Sequence, residues 1–324
     1  MSNALFNRIV TIDQNVQYDA ACKSILSAKV FLAHILHDLI KQYSRLDIDT
    51  IIQCINNNIQ IASMAVNPNE RKFVHNIGSE NTIINEGTVR FDIIFTATHP
   101  HHDKIYVNIE AQNHQSFAYA IEQRGFYYTS RMLSSQYGVE FSNSHYEHIK
   151  ECYSIWICLN PPIYKRNTIV QYSPKRQMIS GKYEDNHDYH IVNVIILNLG
   201  NPDEKGINPL LRLLGTLLSN KKSYLEKKEI IENEFLISLS PKEREVLEQM
   251  CNLSYGIKQE GIVEGKMQGI IEGKIDIIAK LIMKIYKTDL KDWLTKLNNN
   301  QLDKIENIIL DQLSLEEFIH QIEM

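Results

Sequence analysis

The sequence has no CxxC pair, no apolar run of membrane-spanning length and no strong excess of either charge. Its five cysteines (Cys22, Cys54, Cys152, Cys158 and Cys251) are odd in number and scattered. That excludes a disulfide framework or a thiolate zinc site and leaves the buried thiols of a reducing cytoplasm. The most apolar windows, 153–159 and 191–199, are less than half the ~18 residues that a membrane span requires. No secretion signal is read at the N-terminus, because Asp13 and Asp19 stand where a cationic region belongs and Lys29, His34, His37 and Asp38 interrupt the apolar stretch that follows. The expectation is a soluble cytoplasmic protein without a membrane partner. Lys and Arg number 34 against 39 Asp and Glu, a net charge of −5. This excludes a histone-like polycation and leaves room for a local basic groove.

What is present is globular material: 44% apolar and 23% charged residues across 324 positions, enough for one large core or two ordinary ones. Ile25, Leu32, Ile35, Leu36 and Leu39 fall at three- and four-residue spacings and predict one helix over 19–43, with a short one over 48–55. Residues 56–88, rich in Asn and holding Pro68 and Gly78, read as loop with one edge strand. Segments 90–96 and 104–112 alternate strictly and flank the turn His99-Pro100-His101-His102-Asp103, which predicts a β-hairpin. A helix over 117–136 follows, then a buried strand over 152–159 stopped by Asn160-Pro161-Pro162, with further strands over 168–172 and 190–199.

Beyond Gly200 only helices are expected, and residues 201–324 carry 17 basic against 21 acidic side chains. Ser240-Pro241-Lys242-Glu243 and Ser314-Leu315-Glu316-Glu317 are capping boxes that mark helix starts. Gly256, Gly261, Gly265, Gly269 and Gly273 recur almost every fourth residue within a helix expected over 256–286. Each glycine costs about 1 kcal/mol against alanine. The stripe is read as close approach of a second helix, either 276–285 folding back or a second copy of the chain, and a flexible, partly helical linker is the competing reading.

The hairpin carries the chemistry. On its first strand Phe91, Ile93 and Phe95 share one face, and Asp92, Ile94 and Thr96 the other. On its second, Ile105, Val107, Ile109 and Ala111 are the apolar face, while Tyr106, Asn108, Glu110 and Gln112 share the polar one. A turn centred on His101 sets Asp92 across from Glu110. Opposed carboxylates on neighbouring strands repel, and a divalent cation makes a site of them, since Mg²⁺ prefers hard oxygen ligands a few ångströms apart. A solvated polar face with the acids out of register is the competing reading. Glu110-Ala111-Gln112 favours the metal, because it places a carboxylate and an amide on one strand face. His99, His101 and His102 are read as a solvated hairpin tip.

These residues resemble a known family. Segments 85–93, ending Arg90-Phe91-Asp92-Ile93, and 107–113, with Asn108-Ile109-Glu110-Ala111-Gln112, are similar to the Rpn-like branch of recombination-promoting nucleases and transposases in the PD-(D/E)xK nuclease superfamily. Arg124-Gly125-Phe126-Tyr127-Tyr128, segments 134–138 and 153–162, and the glycine-periodic tail extend the likeness over most of 20–275. The resemblance implies an α/β fold with a restriction-endonuclease-like α-β-β-β-α-β core over 15–200, followed by an all-helical region over 201–324. It implies that Asp92, Glu110 and the backbone carbonyl of Ala111 hold Mg²⁺ or Mn²⁺, that the reaction is DNA phosphodiester hydrolysis, and that no nucleotide cofactor is used. Gln112 stands where the wider fold has lysine; an amide can orient water or a phosphate oxygen but supplies no charge.

Glu86 is a candidate further acid at the metal, or a loop carboxylate at a strand start. Arg124, Tyr128 and Arg131 follow i, i+4, i+7 and are candidate DNA contacts, or a solvated helix face. Lys165, Arg166, Lys175, Arg176 and Lys182 lie in a stretch without acids and form a second candidate DNA contact. The expected activity is that of a metal-dependent DNA endonuclease acting as a homodimer through its C-terminal helices. A DNA- or partner-binding module that keeps the fold but has weakened catalysis is the alternative, and a helical scaffold the third reading.

Overall fold

Alternation at 93–112 and the unbroken apolar run at 152–158 build the centre of a mixed six-stranded sheet whose strands lie side by side in the order 60–61, 93–98, 104–112, 152–158, 192–198 and 168–172. A computed structural model describes residues 16–61, 80–83, 87–90, 92–113, 120–182, 190–311 and 313–323 of the chain. Helices α1 (16–26), α2 (Lys29–Leu39) and α3 (Ile48–Cys54) come first, followed by edge strand β1 (Gln60–Ile61) and a separate antiparallel pair, β2 (Glu80–Ile83) and β3 (Gly87–Arg90). Then come β4 (Ile93–Thr98), β5 (Lys104–Gln112), α4 (Ile121–Ser134), β6 (Cys152–Cys158), β7 (Thr168–Tyr172) and β8 (Val192–Asn198). Beyond them the described residues are helical: α5 (Pro209–Leu217), α6 (Tyr224–Glu229) with a π turn over Ile230–Glu234, α7 (Pro241–Tyr286), α8 (Lys291–Leu294), α9 (Asn299–Ile308) and α10 (Leu315–Glu323).

The single helix expected over 19–43 is two helices. Ser27 Oγ donates to the Ser24 carbonyl at 2.7 Å, and Ala28 takes an extended backbone (φ −64, ψ 128) that ends α1 and starts α2. Serine competing for its own helix's carbonyls is a recurrent cause of such breaks. The capping boxes at Ser240 and Ser314 form as read, each with its serine N–H on the glutamate three residues on. Two more, Ser223 with Glu226 and Asn298 with Gln301, start α6 and α9.

The hairpin register pairs Ile93 with Ile109 and Thr98 with Lys104, which centres the turn on His101. Strands β5, β6 and β8 run parallel, and β1 and β7 are antiparallel edges. The apolar hairpin face (Ile93, Phe95, Ile105, Val107, Ile109) joins Ile155, Ile195 and the buried faces of α1, α2 and α5 in the larger core. The other face is covered by α4, whose Tyr128 and Met132 pack with Ile94, Tyr106, Trp156 and Val194. That face is therefore buried, which sets aside the competing reading of a solvated polar face: Asn108 is 0% exposed and Glu110 1%.

Two compact units divide at Ser254 and Tyr255, within α7. The compositional change at 200, where a 15–200 domain was expected to end, falls inside the first unit. Leu210, Leu214, Ile231, Leu247 and Met250 complete the core beneath the sheet, so α5 and α6 belong with the strands. In the second unit Ile275, Ile278 and Ile282 pack with Leu302, Ile305, Phe318 and Ile322, and Lys274 binds Asp303 and Glu306. Helix α7 runs unbroken to Tyr286, so 276–285 does not fold back on the glycines. Among the described residues, nothing lies within 4 Å of where a Cβ would stand at Gly261, Gly265, Gly269 or Gly273.

Gly125 shows the opposite situation. A Cβ there would stand 2.5 Å from Val194 Cγ1 and 3.1 Å from Trp156 Nε1, so only glycine lets α4 lie this close to the sheet. Gly125→Ala is expected to destabilise the fold by about 1–3 kcal/mol through overpacking, despite alanine's better helix propensity. A thermal melt checks this, and a higher midpoint for the variant would show that α4 has room to shift.

Candidate active site

Strand β4 begins where β5 ends, so Asp92 and Glu110 meet at the edge of the sheet formed by the C-terminal ends of parallel strands β5, β6 and β8. Crevices at such strand ends are the usual ligand sites of open α/β sheets. Glu110 Oε1 accepts from the Asp92 backbone N–H at 2.9 Å and from Asn108 Nδ2 at 3.0 Å. Glu110 Oε2 lies 3.8 Å from Arg124 Nη2. The Asp92 carboxylate turns to Lys23 of α1, with Oδ1 2.9 Å from Nζ, and Asp19 grips the same ammonium at 2.6 Å.

The two acids therefore do not merely repel across the hairpin; each has a basic side chain beside it. Burial, then the Asp92 carboxylate, pushes Glu110 well above the usual carboxylate range, and the Asp92 N–H and Arg124 only partly offset this. Burial works against the charge on Lys23, but its hydrogen bonds to Asp19 and Asp92 outweigh that and raise its pKa. Arg124 is stacked with its carbon Cζ 5.1 Å from the Tyr128 ring and 5.0 Å from the Trp156 ring. Its Nη2 also donates to Tyr128 Oη at 2.7 Å, which fixes the guanidinium beside Glu110.

The donor set fits a hard divalent cation. It offers one carboxylate from just before β4 and one from β5, and the buried Asn108 Oδ1 has no hydrogen-bond partner among the described residues. The Ala111 backbone follows Glu110 on β5, and Gln112, half-buried, ends that strand. Glu86 lies outside the described residues, as does the expected start of α4 near 117.

Other expected contacts are distributed differently. Tyr128 is 7% exposed and Arg131 3%, because α4 lays this face on the sheet; they are interior residues and do not present an open surface to a phosphate backbone. Lys165, Arg166, Lys175, Arg176 and Lys182 are all exposed on the loops around β7. Arg166 also lines a cleft of about 440 Å³ with Asn113, Asn160, Gly200, Tyr18 and Lys221, at the same strand ends as the acids. His99 is buried against Tyr43, with its Nδ1 accepting from the His101 N–H, while His101 and His102 stay exposed.

Lys23 was not singled out in the sequence, where nothing distinguishes a lysine on a helix far upstream of the acids. His145, Glu147 and His148 were also passed over, although a His-x-Glu-His string is legible. Their ligand atoms lie within 4.8 Å of one another on the exposed loop before β6, with His145 Nδ1 2.9 Å from Glu147 Oε1. No family model, no curated protein and no solved structure matches the chain. No helix among the described residues is long and apolar enough to cross a membrane, and all five cysteines are buried and free.

A pH dependence follows from Glu110. Its folded-state pKa lies above that of an unfolded glutamate, so its contribution to stability is complete in acid and is lost as pH rises towards the folded value. Glu110→Gln, melted in EDTA, is expected to raise the midpoint by about 2–4 °C for each kcal/mol recovered, more at pH 8 than at pH 5. An equal loss at both values would instead mean that the buried carboxylate is held charged by Arg124 and its hydrogen-bond donors.

Proposed function

We propose that the protein is a metal-dependent DNA endonuclease of the PD-(D/E)xK type, in its Rpn-like branch. One observation carries this reading: the Asp92 N–H hydrogen-bonded to the Glu110 carboxylate at the strand ends, with Gln112 two residues on. Support for the nuclease core comes from the six-stranded sheet: with the separate pair β2 and β3 set aside, the order α3, β1, β4, β5, α4, β6 follows α-β-β-β-α-β, with β5 and β6 parallel. Asp92 then opens the second core strand and Glu110 closes the third. The five buried free thiols suit a reducing cytoplasm.

Asp92, Glu110 and the Ala111 carbonyl would hold Mg²⁺ or Mn²⁺. When bound, such an ion lowers the pKa of water and offsets charge on a scissile phosphate. The chain's own residues supply the rest. Gln112 orients the attacking water or a phosphate oxygen. Arg124 holds Glu110 in place from α4. Arg166 and Lys221, on the wall of the neighbouring cleft, steady the DNA backbone as it approaches the acids. The exposed glycine stripe of α7 is where a second copy would pack, giving a homodimer with two sites for two strands.

A second reading has an observation of its own. Lys23 and Arg124 already stand beside the two acids, and Gln112 lacks a charge, which suits a DNA-binding module that no longer cuts. Mg²⁺-dependent nicking of plasmid DNA separates the two: nicking selects the nuclease, and DNA affinity without nicking selects the module.

In the nuclease, Asp92→Ala and Glu110→Ala each abolish cutting, and the double variant is no worse than either, because both acids serve one ion. Gln112→Ala slows cutting more than it weakens Mn²⁺ binding. Arg166→Ala and Lys221→Ala weaken DNA binding evenly across sequences and lower its salt slope by about 1 each. Titrations at several salt concentrations check this, and an unchanged slope would remove the cleft from the DNA path.

A further inference from the structure

We propose that Lys23 is the cation of the active site, supplying from α1 the ammonium that Gln112 cannot supply from β5. The inference rests on the reading of Asp92 and Glu110 as a metal-holding pair for phosphodiester hydrolysis. Three observations carry it. The first is position: Lys23 Nζ is 2.9 Å from Asp92 Oδ1, at the end of the sheet where Glu110 and Gln112 finish β5. The second is fixation. The Lys23 side chain is only 14% exposed and is also held by Asp19 at 2.6 Å, so two carboxylates keep the ammonium in one place. The third is chemistry: an ammonium has three N–H groups, and the two carboxylates use two of them.

As a stabiliser alone the arrangement is poor. A long side chain loses its rotamer freedom and much of its hydration, and the desolvation of a partly buried pair offsets much of its Coulombic gain. Burial of Ala21, Cys22, Ile25 and Leu26 already anchors α1. Arg124 is no substitute, because its guanidinium is stacked on Trp156 and Tyr128 and faces Glu110 from α4.

The third N–H of Lys23 is the donor for the attacking water or a non-bridging phosphate oxygen. In the hydrolysis a lone pair of the water oxygen forms the new P–O bond. The bridging P–O bond breaks with its pair on the departing sugar oxygen, and the water's proton reaches that oxygen through solvent. Lys23 keeps its protons throughout and offsets the negative charge that builds on the phosphate. This also accounts for a glutamine ending β5: the charge arrives from another element, and the amide is left to orient water.

The test uses the full chain as wild type, Lys23→Met, Gln112→Lys and the double variant, with plasmid nicking and Mn²⁺ titration calorimetry as separate readouts. Lys23→Met is expected to cut at least a hundredfold more slowly at saturating metal while binding Mn²⁺ as tightly or more tightly, since a competing cation has left Asp92. The double variant, with its lysine moved to β5, is expected to recover cutting to within tenfold of Gln112→Lys alone. Should the methionine variant melt early, Lys23→Gln keeps a hydrogen bond to Asp92 without the charge and is expected to give the same split. Unchanged cutting by Lys23→Met, parallel loss of cutting and Mn²⁺ affinity, or no recovery in the double variant would each overturn the assignment. A wild-type chain that cuts no DNA overturns the nuclease reading and this inference with it, and the wild-type control distinguishes that outcome from failure at Lys23 alone.

Discussion

Glu110 is a carboxylate at 1% exposure, and moving a charge that far from water costs several kcal/mol unless its surroundings answer it. Everything around it is arranged to that end. The hairpin register brings the Asp92 N–H to one oxygen, Asn108 adds a second donor to the same atom, and α4 brings Arg124 to within 3.8 Å of the other. The close seating of α4 depends on Gly125, and the register depends on the turn at 99–103. Even so, burial and the neighbouring Asp92 carboxylate leave Glu110 favouring its proton. A site with that unmet demand for positive charge is suited to a divalent ion.

That constraint links the two sides of the sheet. The core beneath it, built with α1, α2 and α5, positions the helix from which Lys23 reaches Asp92. The smaller core above it, built with α4, positions Arg124. Each acid is thus served from a different helix. The cleft lined by Arg166 and Lys221 opens at the same strand ends, so these two cations and the acid pair share one edge of the sheet.

Much of this was legible in the sequence. Period-two alternation located β4 and β5, and the symmetry of the turn about His101 set Asp92 across from Glu110, the register observed. Capping boxes at Ser240 and Ser314 marked true helix starts because their signal is local. What failed was not local. Alternation showed which residues share a strand face but not that α4 would bury the polar one, so Tyr128 and Arg131 were assigned to open surface. Lys23 was invisible because its meaning depends on how α1 packs, and no spacing rule reaches from a helix to a distant strand. The change of composition at 200 was real, but α5 and the start of α7 cover the sheet and so belong to its unit.

The acid pair as a cation site is tested most directly by anomalous diffraction from crystals of the full chain soaked in Mn²⁺. The expected result is a peak contacting the carboxylates of Asp92 and Glu110. A single peak at His145, Glu147 and His148, with Lys23 still on Asp92 and no density between the two acids, would contradict it.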